Sequence, residues 1–257
     1  MAFYRPQGDA FAATELTRGP WEADSEHAGP PCALLGRAMD RAGRLDAARL
    51  ARITFEILKP VPIAALRCST EIVRPGRSVE LIEGTLSHDG VDLIRARAWR
   101  IRTSSLQFDQ TPLVDEPPPG PESASPGDYF PTEWDVGYHA AMEMRSLAGG
   151  YNEPGPARVW MRMREPLLEG EDPSPLDRLL LVADCGNGVS SPLDYRRYLF
   201  VNTDLSVALR REPVGEWICL DATTYAETDG VGLTDTKLLD ARGLVGRASQ
   251  SLLVAAR

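Results

Sequence analysis

Apolar residues recur at helical spacing in two regions of the chain. Leu34, Leu35 and Met39 share one face after a proline pair at 30 and 31, which suits the first turn of a helix. Further along, Ser174 suits an N-cap, and Asp177 completes a capping box ahead of a leucine-rich stripe. The pattern predicts one helix over 30–44 and a second that begins at Pro175.

Strand-like runs follow each helix, with turn sequences between them. Because the strands succeed one another without an intervening helix, antiparallel pairing is favoured over parallel crossover units. The pattern predicts an α+β fold with each helix laid on a sheet; the two helix stripes disfavour a β-sandwich. The predicted strands cover roughly 49–59, 65–74, 77–88 and 91–102 in the first half, and 197–210, 216–226, 231–240 and 244–255 in the second.

A Pro- and Gly-rich acidic segment between 111 and 131 lacks periodicity and is typical of a linker. We therefore expect an N-terminal half at 1–105, a linker at 106–134 and a C-terminal half at 135–257. The two halves share the order of helix and strands, although few residues are identical. The repeat is one of pattern.

Composition narrows the class of protein. Hydrophobic residues make up 43% and charged residues 25%, which is ordinary globular usage, and the net charge of −9 disfavours binding to nucleic acid. No apolar run approaches the ~18 residues of a membrane span. The four cysteines are widely spaced and no secretory signal opens the chain, so we expect reduced thiols, a cytoplasmic location and no membrane association.

The common catalytic motifs are missing. The segment Gly188-Val189-Ser190-Ser191-Pro192 lacks the second glycine of a nucleophile elbow, and Gly186 with Gly188 is better explained as a helix C-cap than as a dinucleotide loop. The three histidines lie at no metal-ligand spacing, so no metal is expected. The sequence offers no Ser-His-Asp or Cys-His pair.

Two polar residues lie on strands that are otherwise apolar. Strand alternation places Asp204 on the face opposite the aliphatic residues of its strand, among small polar neighbours that could hold a water. Gln250 shares the apolar face of its own strand, where a buried amide needs hydrogen-bond partners. A solvated edge explains Asp204 and a structural amide explains Gln250 about as well as a functional role does.

The chain resembles the thioesterase-like double-hotdog superfamily, which includes bacterial acyl-coenzyme A thioesterase II. The resemblance lies in HAGPPCALLGRAMDR at 27–41 and, more closely, in residues 202–254 from NTDLS to SLLV. It implies two fused hotdog halves and hydrolysis of an acyl-CoA thioester by a water that an Asp, a hydroxyl residue and a Gln position. By resemblance Asp204 and Gln250 match two of these. The hydroxyl falls at Thr223, Thr224 or Tyr225, and Thr224 is preferred because its hydroxyl is short.

The resemblance also implies substrate contacts and an assembly. His27, Ala28, Gly29 and Trp21 are expected to bind the acyl-CoA substrate, with no cofactor, in a homodimer or larger homo-oligomer. Two alternatives stay open. A non-catalytic acyl-binding protein fits the departure at the hydroxyl position, and a hotdog hydratase would need a histidine-acid pairing that the sequence does not show.

Overall fold

A computed structural model describes residues 1–109 and 116–257 of the chain. Its helices are α1 (Gly29–Ala42), α2 (Tyr138–Ala141), α3 (Pro175–Ala183) and α4 (Gly186–Val189). In the first half the strands are β1 (Tyr4–Gln7), β2 (Ala10–Ala13), β3 (Ala48–Ile57), β4 (Ala65–Arg74), β5 (Val79–His88) and β6 (Val91–Arg102). Then come β7 (Ser125–Pro126), β8 (Met142–Gly150), β9 (Glu153–Met163), β10 (Tyr198–Asn202), β11 (Asp204–Leu209), β12 (Ile218–Ala226), β13 (Val231–Asp240) and β14 (Gly243–Ala256).

The strands form one antiparallel sheet with an internal two-fold pattern. The order is β1-β2-β4-β5-β6-β3-β11-β14-β13-β12-β9-β8-β7, and β10 pairs with β14 beside β11. Within each half, the strands after the long helix have the same order, and the halves meet where β3 pairs with β11. The predicted α+β fold of two helix-on-sheet halves is confirmed.

The predicted helices and strands are found close to their expected bounds. Ser174 accepts from the Asp177 amide at 3.1 Å, and Asp177 accepts from the Ser174 amide at 2.8 Å, so the capping box is present. The sequence patterns did not reveal β8 and β9, which precede α3. The predicted boundaries of the two halves and of the linker stay a prediction, and part of that linker, residues 110–115, lies outside the described residues.

The two long helices pack against each other inside the sheet, in one hydrophobic core shared by both halves. Gly29 and Gly36 permit the close approach, because a Cβ at either position would clash with the Leu181 carbonyl or the Leu180 side chain. Arg37 of α1 pairs with the buried Asp177 of α3 at 2.6 Å. The junction therefore fixes the start of α1 close to the end of α3, where the candidate site lies.

Candidate functional site

A cavity of about 410 Å³ opens between the two halves, at the end of α3. His27, Asp184 and Asn202 line its polar side, whereas Trp21, Phe130 and Tyr151 are among its apolar walls. Leu58 and Lys59 follow the end of β3 and are exposed, so they mark the side of the cavity that faces solvent. The cavity therefore offers an apolar chamber with one polar side, the usual form of a small-molecule site.

Asp184, the C-cap residue that directly follows α3, is the centre of the polar side. Its side chain is 5% exposed, and its Oδ1 accepts from Asn202 Nδ2 at 2.9 Å and from Gln250 Nε2 at 3.3 Å. Burial raises the pKa of Asp184, and this rise is opposed in part by His27, Asn202 and the Gly29 amide. A carboxylate with a raised pKa that lines a cavity has the properties of a general base.

Gln250 holds Asp184 and the start of α4 in place. It is 1% exposed; its Nε2 donates to the Asp184 backbone carbonyl at 3.1 Å, and its Oε1 accepts from the Asn187 amide at 3.2 Å. Gly186 permits this approach, because a Cβ there would clash with Thr236 Oγ1. The expectation that a buried Gln250 needs hydrogen-bond partners is confirmed, and two of those partners are backbone groups.

A row of buried hydroxyls ties α4 to the sheet behind Gln250. Thr224 Oγ1 lies 2.8 Å from Ser190 Oγ and 2.8 Å from Thr234 Oγ1, and Thr234 pairs with Gln250 across β13 and β14. Ser190 also donates to the Gly186 carbonyl at 2.8 Å. Thr224 is buried, whereas Tyr225 is 57% exposed, so of these two residues only Thr224 faces the site.

His27 lies against Asp184 on the opposite side. Its Nδ1 accepts from the Gly29 amide at 3.0 Å and lies 3.3 Å from Asp184 Oδ2, and its ring stacks on Tyr138 at 4.0 Å. Burial lowers the pKa of His27, so the imidazole is neutral at pH 7. In the tautomer whose Nδ1 accepts from the Gly29 amide, the proton is on Nε2, and His27 is then a hydrogen-bond donor toward its surroundings.

Cys185 completes an arrangement that sequence spacing could not reveal. Its Sγ lies 3.9 Å from His27 Nε2 and 3.1 Å from the Tyr138 hydroxyl, so a cysteine, a histidine and an aspartate are adjacent. Burial raises the pKa of the Cys185 thiol to about 12. In the tautomer that carries its proton on Nε2, the imidazole is not set to take a proton from that thiol.

The structure corrects the predicted partnership of Asp204 with Gln250. Asp204 accepts from the Ser251 amide at 2.8 Å and lies on the outer face of the sheet, whereas Gln250 faces inward. Pairing of Ser206 with Ser249 sets this register, in which Asp204 and Gln250 lie on opposite faces. The carboxylate beside Gln250 is Asp184.

The predicted substrate-contact residues do not all line the cavity. His27, Ala28 and Trp21 line the cavity. Gly29 does not line it; its amide donates to His27, and its missing side chain lets α1 approach α3. The prediction that Gly186 and Gly188 cap a helix is wrong, because both lie within α4.

Asp184 did have a signal in the sequence. An acidic residue at the C-terminal end of a helix opposes the helix dipole, whereas Asp177 in the first turn of the same helix agrees with it. A residue placed against a local rule in this way indicates function more often than stability. Asn202 and His27 had no comparable signal, since only the fold brings them to α3.

Comparisons with known proteins decide the family. The N-terminal domain of the acyl-CoA thioesterase family matches residues 17–101, and its C-terminal domain matches residues 115–254. The chain belongs to the acyl-CoA thioesterase family. The resemblance stated from the sequence is confirmed, and membership supports a thioester hydrolase as the enzyme class. No curated protein matches the chain in sequence.

Solved structures share the fold over the full chain. A candidate thioesterase of Novosphingobium aromaticivorans is 20% identical with a TM-score of 0.73, and the match covers 98% of each chain. A candidate thioesterase II of Thermobifida fusca is 18% identical with a TM-score of 0.74, over 98% of this chain and 94% of that one. A hot dog fold protein of Alicyclobacillus acidocaldarius is 15% identical with a TM-score of 0.73, over 99% and 95%. These likenesses show the double-hotdog fold.

Two kinds of feature are absent from the described residues. Within residues 1–109 and 116–257, no group of three or more His, Cys, Asp and Glu side chains is arranged to hold a metal ion. In the same part of the chain, no helix combines the length and apolar character of a membrane span.

Proposed function

We propose that the chain hydrolyses an acyl-CoA thioester with a water molecule that Asp184 activates. The observation that carries this proposal is the buried Asp184 carboxylate, which lines the cavity while Asn202 and Gln250 donate to one of its oxygens. A carboxylate held in this way is oriented for proton transfer, and burial brings its pKa closer to the working pH. Asp184 takes the role that the sequence had given to Asp204.

The reaction balances with the groups present. Asp184 takes a proton from water as the water oxygen bonds to the thioester carbonyl carbon, which gives a tetrahedral oxyanion. His27, a neutral imidazole that lines the same cavity, would donate from Nε2–H to stabilise that oxyanion. The carbon–sulfur bond then breaks, and the proton held by Asp184 passes to the departing CoA thiolate. The products are a carboxylic acid and CoA.

Gln250 and Thr224 remain site residues in this proposal, but they position other protein groups and do not contact the reacting water. Gln250 bridges Asp184 to the Asn187 amide, and Thr224 connects the same sheet position to Ser190 of the α4 end. These contacts fix Asp184 against the cavity. Trp21 and Ala28 would contact the substrate, and a homodimer or larger homo-oligomer stays a prediction.

A panel of acyl-CoA esters with a thiol reagent tests the function. Release of free CoA thiol by the purified protein supports hydrolysis. Tight binding of acyl-CoA without thiol release would favour the non-catalytic acyl-binding protein instead, and hydration of an enoyl-CoA without thiol release would favour the hydratase.

The adjacent Cys185 raises a covalent route, in which the acyl group would pass to the thiol before hydrolysis. Burial raises the pKa of the Cys185 thiol to about 12, so the thiol is protonated at neutral pH, which argues against this route. Cys185→Ala should therefore retain most of the turnover. Loss of turnover in a folded Cys185→Ala protein, with an acyl-enzyme trapped on the wild type, would replace the activated water by the cysteine.

A further inference from the structure

Behind the aromatic wall of the catalytic cavity lie two more spaces. One is a small chamber of about 30 Å³, and the other is an outer cavity of about 820 Å³ beside β8. Phe130 lines all three spaces, and Tyr151 lines the catalytic cavity and the small chamber. The two rings therefore stand between the place where an acyl chain would lie and unused volume beyond.

We propose that Phe130 and Tyr151 form a partition that limits the acyl chain to short or compact groups, so that these two residues set the chain-length specificity. This inference rests on the proposed function. It assigns to the same site a substrate class, acyl-CoA esters whose acyl group ends at the partition.

The partition is well braced. Phe130 and Tyr151 are both buried, and their rings meet edge to face at 4.8 Å. Tyr195 packs on Phe130 at 4.6 Å, and Tyr129 packs on Tyr151 at 4.7 Å. Trp21 lies 5.9 Å from Phe130 on the cavity side. Rings held by neighbours on several sides do not swing aside without breaking those contacts.

The two rings of the partition come from different segments of the chain. Phe130 lies in the predicted linker, whereas Tyr151 follows the end of β8. Two separate segments thus meet at one contact between the rings. Removing either ring opens the wall from its own side, so the two substitutions give independent readings.

Binding of non-hydrolysable S-alkyl-CoA thioethers tests the partition without requiring catalysis. Dissociation constants of the butyl, octyl and dodecyl thioethers are measured by calorimetry for the wild type, Phe130→Ala and Tyr151→Ala. Removing either ring leaves an apolar space between the remaining aromatic side chains. The affinity for dodecyl relative to butyl should therefore improve by about tenfold or more, since each methylene accommodated in an apolar space is worth a factor of this order.

Phe200→Ala is the matched control. Phe200 belongs to the same aromatic group, with its ring 5.4 Å from Trp21 and 6.3 Å from Phe130, but it does not stand between the cavities. Its removal should leave the ratio of dodecyl to butyl affinity near that of the wild type. Circular dichroism establishes folding, and Tyr151→Ala decides the matter if Phe130→Ala does not fold.

An unchanged affinity ratio in a folded Phe130→Ala or Tyr151→Ala protein overturns the partition, and so does an equal change in Phe200→Ala. The same proteins are then assayed with butyryl-, octanoyl- and dodecanoyl-CoA for thiol release. Absence of hydrolysis by the wild type, together with the expected binding shifts, would overturn the proposed function and leave the partition standing.

Discussion

The two halves of the sheet carry different side chains at equivalent positions. Thr54 and Ser206 face each other where β3 meets β11. On its other side, Thr54 pairs with Arg97 of β6, and Ser206 pairs with Ser249 of β14. The next residue along β6 is an alanine, whereas the next residue along β14 is a glutamine. Each of these two residues begins a row of side chains that runs across the neighbouring strands of its half. The row is Ala98, Ile82 and Ile72 in the first half, and Gln250, Thr234 and Thr224 in the second.

The difference shows how one fold separates stability from chemistry. In the first half, the apolar row faces α1, and Met39 packs against Gly84 of β5. In the second half, α4 covers the polar row, and the amide and hydroxyls hold α4 and Asp184. The repeat supplies two similar scaffolds, and the polar row of the second half holds the Asp184 carboxylate against the cavity.

The largest effect should come from Asp184→Asn, which removes the base and retains the shape. The Asn202 contact can persist through the amide oxygen, so the protein should fold, while turnover of acyl-CoA falls by about 10²–10⁴-fold. Thiol release gives the rate, and circular dichroism gives the folded state. Normal turnover in the folded variant would remove Asp184 from the mechanism.

Gln250→Ala gives the second half the residue that the first half has at Ala98. Because the Asn187 amide and the Asp184 carbonyl lose their partner, the free energy of unfolding should fall by about 1–3 kcal/mol. Turnover should also fall, since Asp184 loses one of its donors. Urea unfolding and thiol release are measured on the same preparation. Marked destabilisation with normal turnover would show that the amide is structural alone.

The pH dependence of stability should distinguish Asp184 from an ordinary carboxylate. Burial raises its pKa above the usual value of 3.8, so the protonated form is the one that folding favours. Its contribution is fully present below pH 3.8 and is lost as the pH rises through the raised pKa. Asp184→Asn, which does not titrate, should therefore gain stability relative to the wild type as the pH rises from acid to neutral.

Urea unfolding of both proteins across that pH range measures the difference in their free energies of unfolding. The titration of most other carboxylates is common to both proteins and cancels in this difference. The acid limb of kcat/KM should also lie above the range of an ordinary carboxylate, because the deprotonated form is the base. A difference in stability that does not depend on pH would mean that Asp184 titrates like an exposed aspartate.

The sequence predicted the scaffold better than the site, for physical reasons. Helix stripes, the Ser174 capping box and strand alternation are local, and they gave α1, α3 and most of the strands. The site depends on contacts between distant segments, such as His27 with Asp184, and on α4, whose four residues are too few for a periodic pattern. Phe130 lies in a segment without periodicity, so its place in the core could not be predicted.

Thr224→Val should have a smaller effect than Gln250→Ala. The substitution retains the shape but leaves Ser190 and Thr234 each without one hydroxyl partner, which should cost about 1 kcal/mol of stability. Turnover should fall less than in Gln250→Ala, because Thr224 acts on Asp184 only through its neighbours. A double-mutant cycle with Thr234→Val measures the coupling. A loss of turnover as large as that of Asp184→Asn would mean that the hydroxyl contacts the reacting water.

The smallest effect should come from Asp204→Asn, the same chemical change on the outer face of the sheet. The amide oxygen can still accept from the Ser251 amide, and loss of the charge relieves repulsion from Glu56, which pairs with Asp204 across β3 and β11. Stability should therefore stay within about 0.5 kcal/mol of the wild type, with turnover unchanged. Thiol release and urea unfolding, measured beside Asp184→Asn, compare the two carboxylates directly. If Asp204→Asn abolished turnover and Asp184→Asn did not, the base would lie on the outer face, and the inward-facing row of Gln250, Thr234 and Thr224 would have only a structural role.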